Sequence, residues 1–161
     1  MQFGAISNTS LHSLMVCLFL IIKNVDLGKY KEFFKLLLEE ILVKCAKQKL
    51  YVVELRHIFG LLFDEDRQPV QLEEELKIIQ SVLDKVRTEN HIDPRHFHLR
   101  LIVTGLKIVG KPHIVKMIDS IVEGREYSDL ITGFDMVNEE DVTPPILHFV
   151  PEILDGKQRD N

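Results

Sequence analysis

The stretch Leu50-Tyr51-Val52-Val53-Glu54-Leu55-Arg56 decides how this chain is read. It is a short, β-rich, nearly continuous apolar run, which suits a strand covered on both faces, as in a parallel sheet. Before it, Lys29 to Lys47 sets Tyr30, Phe33, Phe34, Leu37, Leu38, Ile41 and Cys45 at helical spacing with charges between them. That amphipathic helix runs directly into the strand. After it, His57 to Val70 reads as a loop with an acidic tip, Asp64-Glu65-Asp66, and a stop at Pro69. Leu72, Leu76, Ile79, Leu83 and Val86 then mark a second helix, ended by Asn90 and Pro94.

The alternation repeats toward the carboxyl end. Phe97 to Gly105 reads as a strand. A third helix has Pro112 in its first turn, Ile114, Met117, Ile118, Ile121 and Val122 on its apolar face, and Gly124 at its end. Asp129 to Val137 is a third strand, and Pro144-Pro145 opens a short final helix toward Leu154. Strands alternating with helices predict an α/β fold with a parallel sheet and right-handed crossovers. No glycine-rich loop follows any strand, so a dinucleotide site is not expected. Three strands are few for a doubly wound sheet and leave edges and apolar faces uncovered. The expected fold is therefore a partial (β/α)8 TIM-type barrel, about three parallel strands with flanking helices. Residues 1–28 form an uncertain amino-terminal segment, 29–154 the partial barrel, and 155–161 a polar, frayed tail.

Composition narrows the function classes. The 161 residues carry 20 Lys+Arg against 25 Asp+Glu, a net charge of −5. Phosphate binding needs a cationic surplus, so nucleic acid is not an expected partner. No apolar run reaches the about 18 residues that span a bilayer, so no membrane partner is expected. Leu14 to Ile22, LMVCLFLII, has the length of a secretory signal core, yet Lys23 is the first basic residue and no small-x-small cleavage site follows. A buried strand or helix end is the preferred reading. Cys17 and Cys45 cannot build a disulfide scaffold or a metal knuckle, and neither has a base or helix start beside it to make a nucleophile.

In a (β/α)8 barrel the chemistry sits at the carboxyl ends of the strands. Those ends are Glu54-Leu55-Arg56-His57, Thr104-Gly105-Leu106-Lys107, and the polar run Gly133-Phe134-Asp135-Met136-Val137-Asn138-Glu139-Glu140-Asp141. His96-Phe97-His98 could point both imidazoles to one face, as a metal requires, but it opens its strand at the opposite end. The acidic runs at 64–66 and 139–141 lack the turn glycine and alternating spacing of a calcium loop, so they read as solvated loop charge, with Glu139 the one residue that could face a site. Glu54 and Arg56 share one side of their strand, which predicts structural ion pairing. His57, His91, His113 and His148 show no constellation.

The run Leu50 to Arg56 resembles the second barrel strand of adenosine deaminases, which reads like Y-V-E-V/L-R. Gly133 to Asp141 resembles the fourth-strand signature of the same enzymes, G-F/I-D-L-x-G-x-E. Phe134 and the added acidic residue look most like the adenosine deaminase-related growth factors. The resemblance covers roughly Lys29 to Leu154 and is most specific at the fourth strand. It implies a zinc-bearing barrel that hydrolyses adenosine to inosine and ammonia, and, for the growth-factor branch, an extracellular location. In the family, zinc is held by an HxH pair ending strand one, a His ending strand five and an Asp ending strand eight. A Glu in an H-x-G-E motif moves the proton.

This sequence departs from that pattern. No HxH followed by Asp precedes Tyr51, no H-x-G-E occurs, and the sequence stops before a fifth strand is expected. No catalytic or metal-binding residue is therefore assigned, and His96 and His98 do not substitute. The family's purine-contacting glycine falls at Asn138, whose backbone N–H keeps that capacity. Asn138 and, beside it, Glu139 are the substrate-binding candidates, with Asp135 and Lys107 at the same mouth. The expectation is a fragment inactive by itself. The alternative is a non-catalytic remnant that self-associates through open barrel edges.

Overall fold

A computed structural model describes residues 13–17, 29–137 and 142–159. The elements are β1 (Ser13–Cys17), α1 (Lys31–Lys47), β2 (Val52–His57), α2 (Leu72–Glu89), β3 (His98–Leu106), α3 (Lys111–Gly124), β4 (Ile131–Val137) and α4 (Val150–Arg159). Short 3-10 turns lie at Pro94–His96, Lys107–Val109 and Ile146–Phe149.

Each helix forms where the sequence offers one apolar stripe. α1 buries Phe34, Leu38, Leu42 and Cys45, while Glu32 in its first turn and Lys44 and Lys47 in its last complement the helix dipole. α2 buries Leu76, Ile79, Leu83 and Val86 and opens on Glu73, Glu74 and Glu75. α3 starts after Gly110, whose φ of 90° lies where a side chain would be strained, and carries Pro112 in its first turn. Strand side chains alternate beneath them. Val53, Leu55, Leu99, Leu101 and Val103 join the helix residues in one core, and each fully buried Leu or Phe contributes about 1.5–3 kcal/mol. A smaller cluster of Ile114, Ile118 and Phe149, with Phe134, Met136 and Ile153 against it, ties α3 and α4 to β4.

All strand pairings are parallel, in the order β1-β2-β3-β4. A doubly wound sheet reverses its strand order at a switch point. This one does not, and the helices bury their apolar stripes on a single sheet face. Arg56 stands opposite Ile102, and Ile102 stands opposite Gly133. Yet the side chain that Arg56 meets on β4 is Asp135, two residues farther along. The β3–β4 register also shifts by one residue between Leu101 and Ile102, a local irregularity in an otherwise continuous parallel ladder. The Arg56–Asp135 contact joins side chains of two strands that are not neighbours in the sheet. The fold is α/β, a run of consecutive βα units with barrel geometry.

The structure bears out the three expected strands and adds one. The described sheet has four strands, of which β2, β3 and β4 are the three expected from the sequence. The added strand, β1, arises within the segment 1–28 and pairs with β2 from Ser13↔Val52 to Cys17↔Arg56. The strand reading of Leu14 to Ile22 therefore holds through Cys17. The rest of that run lies outside the described residues. Alternation could not assign it, because nine unbroken apolar residues fit a strand and a helix equally. At the other end α4 extends through Arg159, into the segment expected as a polar tail, and Arg159 pairs with Asp119 of α3 at 2.5 Å. No described helix is long and apolar enough to cross a membrane.

Candidate functional site

Alternation on β2 sends Val53, Leu55 and His57 under the helices and leaves Val52, Glu54 and Arg56 on the opposite, half-buried face. That face is the barrel interior, and its carboxyl end is the candidate mouth. There Arg56 Nε donates to Asp135 Oδ2 at 2.5 Å, bridging β2 and β4 across β3. Thr104 is fully buried and stands opposite Asp135 in the ladder, with its hydroxyl donating to the Ile102 carbonyl at 3.1 Å. Asp135 Oδ1 accepts from the Met136 N–H at 2.8 Å, so both carboxylate oxygens are engaged. The structural ion pairing expected for Arg56 is present, and its partner is one of the candidate residues.

Lys107 is buried and opens the 3-10 turn that follows β3. Its carbonyl accepts from the Gly110 N–H at 3.1 Å, which shapes the entry to α3. Asn138 and Glu139, and with them Glu140 and Asp141, lie outside the described residues.

A second polar group sits behind the mouth, on the helix side of the sheet. His57, the last residue of β2, has Nε2 2.5 Å from Glu75 Oε1 of α2, and both side chains are buried. Glu75 Oε2 accepts from the Gly60 N–H at 3.1 Å. Phe34 and Phe59 enclose the imidazole, with ring centroids 5.4 and 5.0 Å away, and His57 Nδ1 has no hydrogen-bond partner among the described residues. One carboxylate thus holds both the end of β2 and the start of the loop that follows it. His57 showed no constellation in sequence because its partner is a helix turn away across that loop. The signal that was present is Glu75 itself, a carboxylate on the apolar stripe with Ile78, Ile79, Val82 and Val86.

The remaining candidates resolve into structural roles. His96 ends a 3-10 turn and His98 begins β3, both exposed at the amino ends of the strands. His98 Nε2 lies 3.0 Å from the Arg95 carbonyl. Asp64 at the acidic tip turns inward on its own loop, accepting from the Asp66 and Gln68 N–H groups at 3.0 and 2.8 Å. Cys45 is a free, buried thiol whose pKa is pushed up by burial, which suppresses the reactive thiolate. The His113 pKa is pushed down by burial and by the nearby Lys116 charge. Among the described residues no group of three His, Cys, Asp or Glu side chains converges as a metal requires. With His57 Nε2 against Glu75, the described residues do not fit a zinc site.

No protein-family model matches this chain, and no curated protein sequence does. A solved structure does match: an amidohydrolase from Burkhoderia ambifaria with bound zinc, at a TM-score of 0.62 and 15% identity, covering 81% of this chain. The chain shares that enzyme's fold. It spans 33% of the amidohydrolase's length, about a third of it. At this identity the likeness shows a shared fold, that of a partial barrel, and no more. It does not distinguish a growth-factor branch or a compartment.

Proposed function

We propose that this chain is part of a zinc-dependent amidohydrolase barrel of the adenosine deaminase type, which converts adenosine and water to inosine and ammonia. The observation that supports the reading is the fold shared with an amidohydrolase together with the sequence run Gly133 to Asp141, whose described part, Gly133 to Val137, lies in β4. In this reading the chain supplies one wall of the substrate mouth. The family's purine-contacting position falls at Asn138, with Glu139 next in sequence, and Asp135 and Lys107 border the pocket. Zinc in such enzymes lowers the pKa of a bound water and makes hydroxide available near neutral pH. Its ligands and the proton-moving carboxyl belong to strands outside these residues. The growth-factor branch, and the extracellular location it would bring, rest on Phe134 and the added acidic residue.

The test is to sequence the transcript in both directions from this segment. An in-frame HxH-Asp upstream and H-x-G-E downstream, with zinc-dependent inosine formation by the encoded product, is the expected result. Stop codons closing the frame on both sides would overturn the proposal.

A further inference from the structure

We propose that the cleft between α2 and the turn joining α3 to β4, at the amino ends of the strands, binds a small organic phosphate with an aromatic body. It lies at the end of the sheet opposite the candidate mouth. It goes beyond the deaminase reading and does not rest on it.

The cleft has a volume of about 560 Å³, inside the range of about 300–1,000 Å³ that small-molecule sites occupy. Every residue lining it lies between Leu76 and Leu130, within the unbroken described run 29–137. Its floor is apolar. The buried side chains of Leu83, Leu99 and Leu130 reach it, and Tyr127, 47% exposed, offers a ring at the rim. An apolar floor with a few fixed polar groups is the usual make-up of a ligand pocket.

Arg87 is the fixed polar group. Its Nε and Nη2 donate to the Phe97 carbonyl at 3.2 and 2.7 Å, and Nη1 donates to Asp84 Oδ1 at 3.3 Å. Only 15% of the side chain is exposed. A guanidinium carries five N–H groups, so donors remain beyond these bonds for an oxyanion. The Phe97 carbonyl holds the planar group in place before a ligand arrives, which lowers the ordering cost of binding.

The charge around Arg87 selects the ligand. Lys77 and Arg125 line the same cleft, against Glu126 and Asp129. Lys77 also meets Glu73 at 2.5 Å, and Asp84 accepts from Gln80 as well as from Arg87. Three permanent cations against two lining carboxylates give the cleft a positive excess in a chain of net charge −5. Such an excess favours an anion over an amine or a neutral ligand. His98 completes the rim, its Nε2 donating to the Arg95 carbonyl at 3.0 Å. The strand-entry histidine thus borders a cleft rather than a metal.

The experiment titrates the full chain with phenyl phosphate and, separately, with inorganic phosphate and with phenol, followed by NMR of the leucine methyls and histidine rings. Phenyl phosphate is expected to saturate with a Kd of about 1 mM or below, about tenfold tighter than either half alone. The shifts are expected at Leu83, Leu99, Leu130 and His98. Arg125→Glu, at an exposed position, should weaken binding by about tenfold or more. Lys116→Glu, the same charge change on α3 outside the cleft, should alter it by less than about twofold. Arg87→Lys keeps the charge without the planar fork and should weaken binding by about tenfold. Failure to saturate by about 10 mM, binding no tighter than that of inorganic phosphate, shifts centred elsewhere, or equal effects of Arg125→Glu and Lys116→Glu overturn the proposal. Should Arg87→Lys lose the helical circular-dichroism signal, the comparison of Arg125→Glu with Lys116→Glu decides by itself.

Discussion

His57 at the end of β2 and Glu75 in the first turn of α2 hold each other at 2.5 Å inside the core, with the Gly60 N–H on the second carboxylate oxygen. A buried carboxylate is costly unless its hydrogen bonds are made. Here it also gains from the amino-terminal dipole of α2. The pair anchors the loop that leaves the candidate mouth.

Removing one member is expected to cost far more than removing both. Glu75→Ala strands the imidazole and the Gly60 N–H in the core and should lower stability by about 3–5 kcal/mol in urea unfolding. The double variant His57→Phe with Glu75→Leu replaces the pair by apolar groups and should recover most of that loss. Equal losses for single and double variants would show that the pair contributes no coupling.

Asp93 provides a local pH probe. The Arg95 guanidinium and then the Arg95 backbone N–H lower its pKa from 3.8 to about 2. Because the folded value is the lower one, its contribution is complete above the ordinary carboxylate range and is lost as pH falls from about 4 through about 2. A carboxyl-carbon NMR titration should show the Asp93 midpoint near 2, and Arg95→Gln should move it upward. An unchanged midpoint in the variant would remove Arg95 as the cause.

Gly156 is where α4 seats on α3, and a Cβ there would overlap the Ile118 side chain. Overpacking costs about 1–3 kcal/mol, and the helix propensity of alanine returns about 1. Gly156→Ala is therefore expected to lower the melting temperature, with a net loss of up to about 2 kcal/mol. Leu154→Ala, on a side chain more than half exposed, should change stability by no more than about 0.5 kcal/mol.

The chain assayed alone is expected to form no inosine from adenosine with or without added zinc. Chelator treatment should leave its melting temperature unchanged, because no described cluster can couple metal binding to folding. Tight, stoichiometric zinc uptake in a calorimetric titration would overturn this expectation.

The sequence by itself determined the α/β class, the parallel sheet and nearly every element from α1 to α4. Those features follow from local periodicity, which places Phe34, Leu38 and Leu42 on one helix face and Val53 and Leu55 on one strand face. Even the partnership of Arg56 was legible in part, since its side of the strand was known and only its mate was not. Tertiary structure decided the rest. β1 was indistinct because an unbroken apolar run has no period, and only its pairing with β2 makes it a strand. The meeting of Arg56 with Asp135 depends on β3 pairing with both β2 and β4, and that of His57 with Glu75 on the path of a loop. Both join residues far apart in the chain, and no local rule of spacing encodes a contact that exists only once the sheet has twisted and the helices have docked.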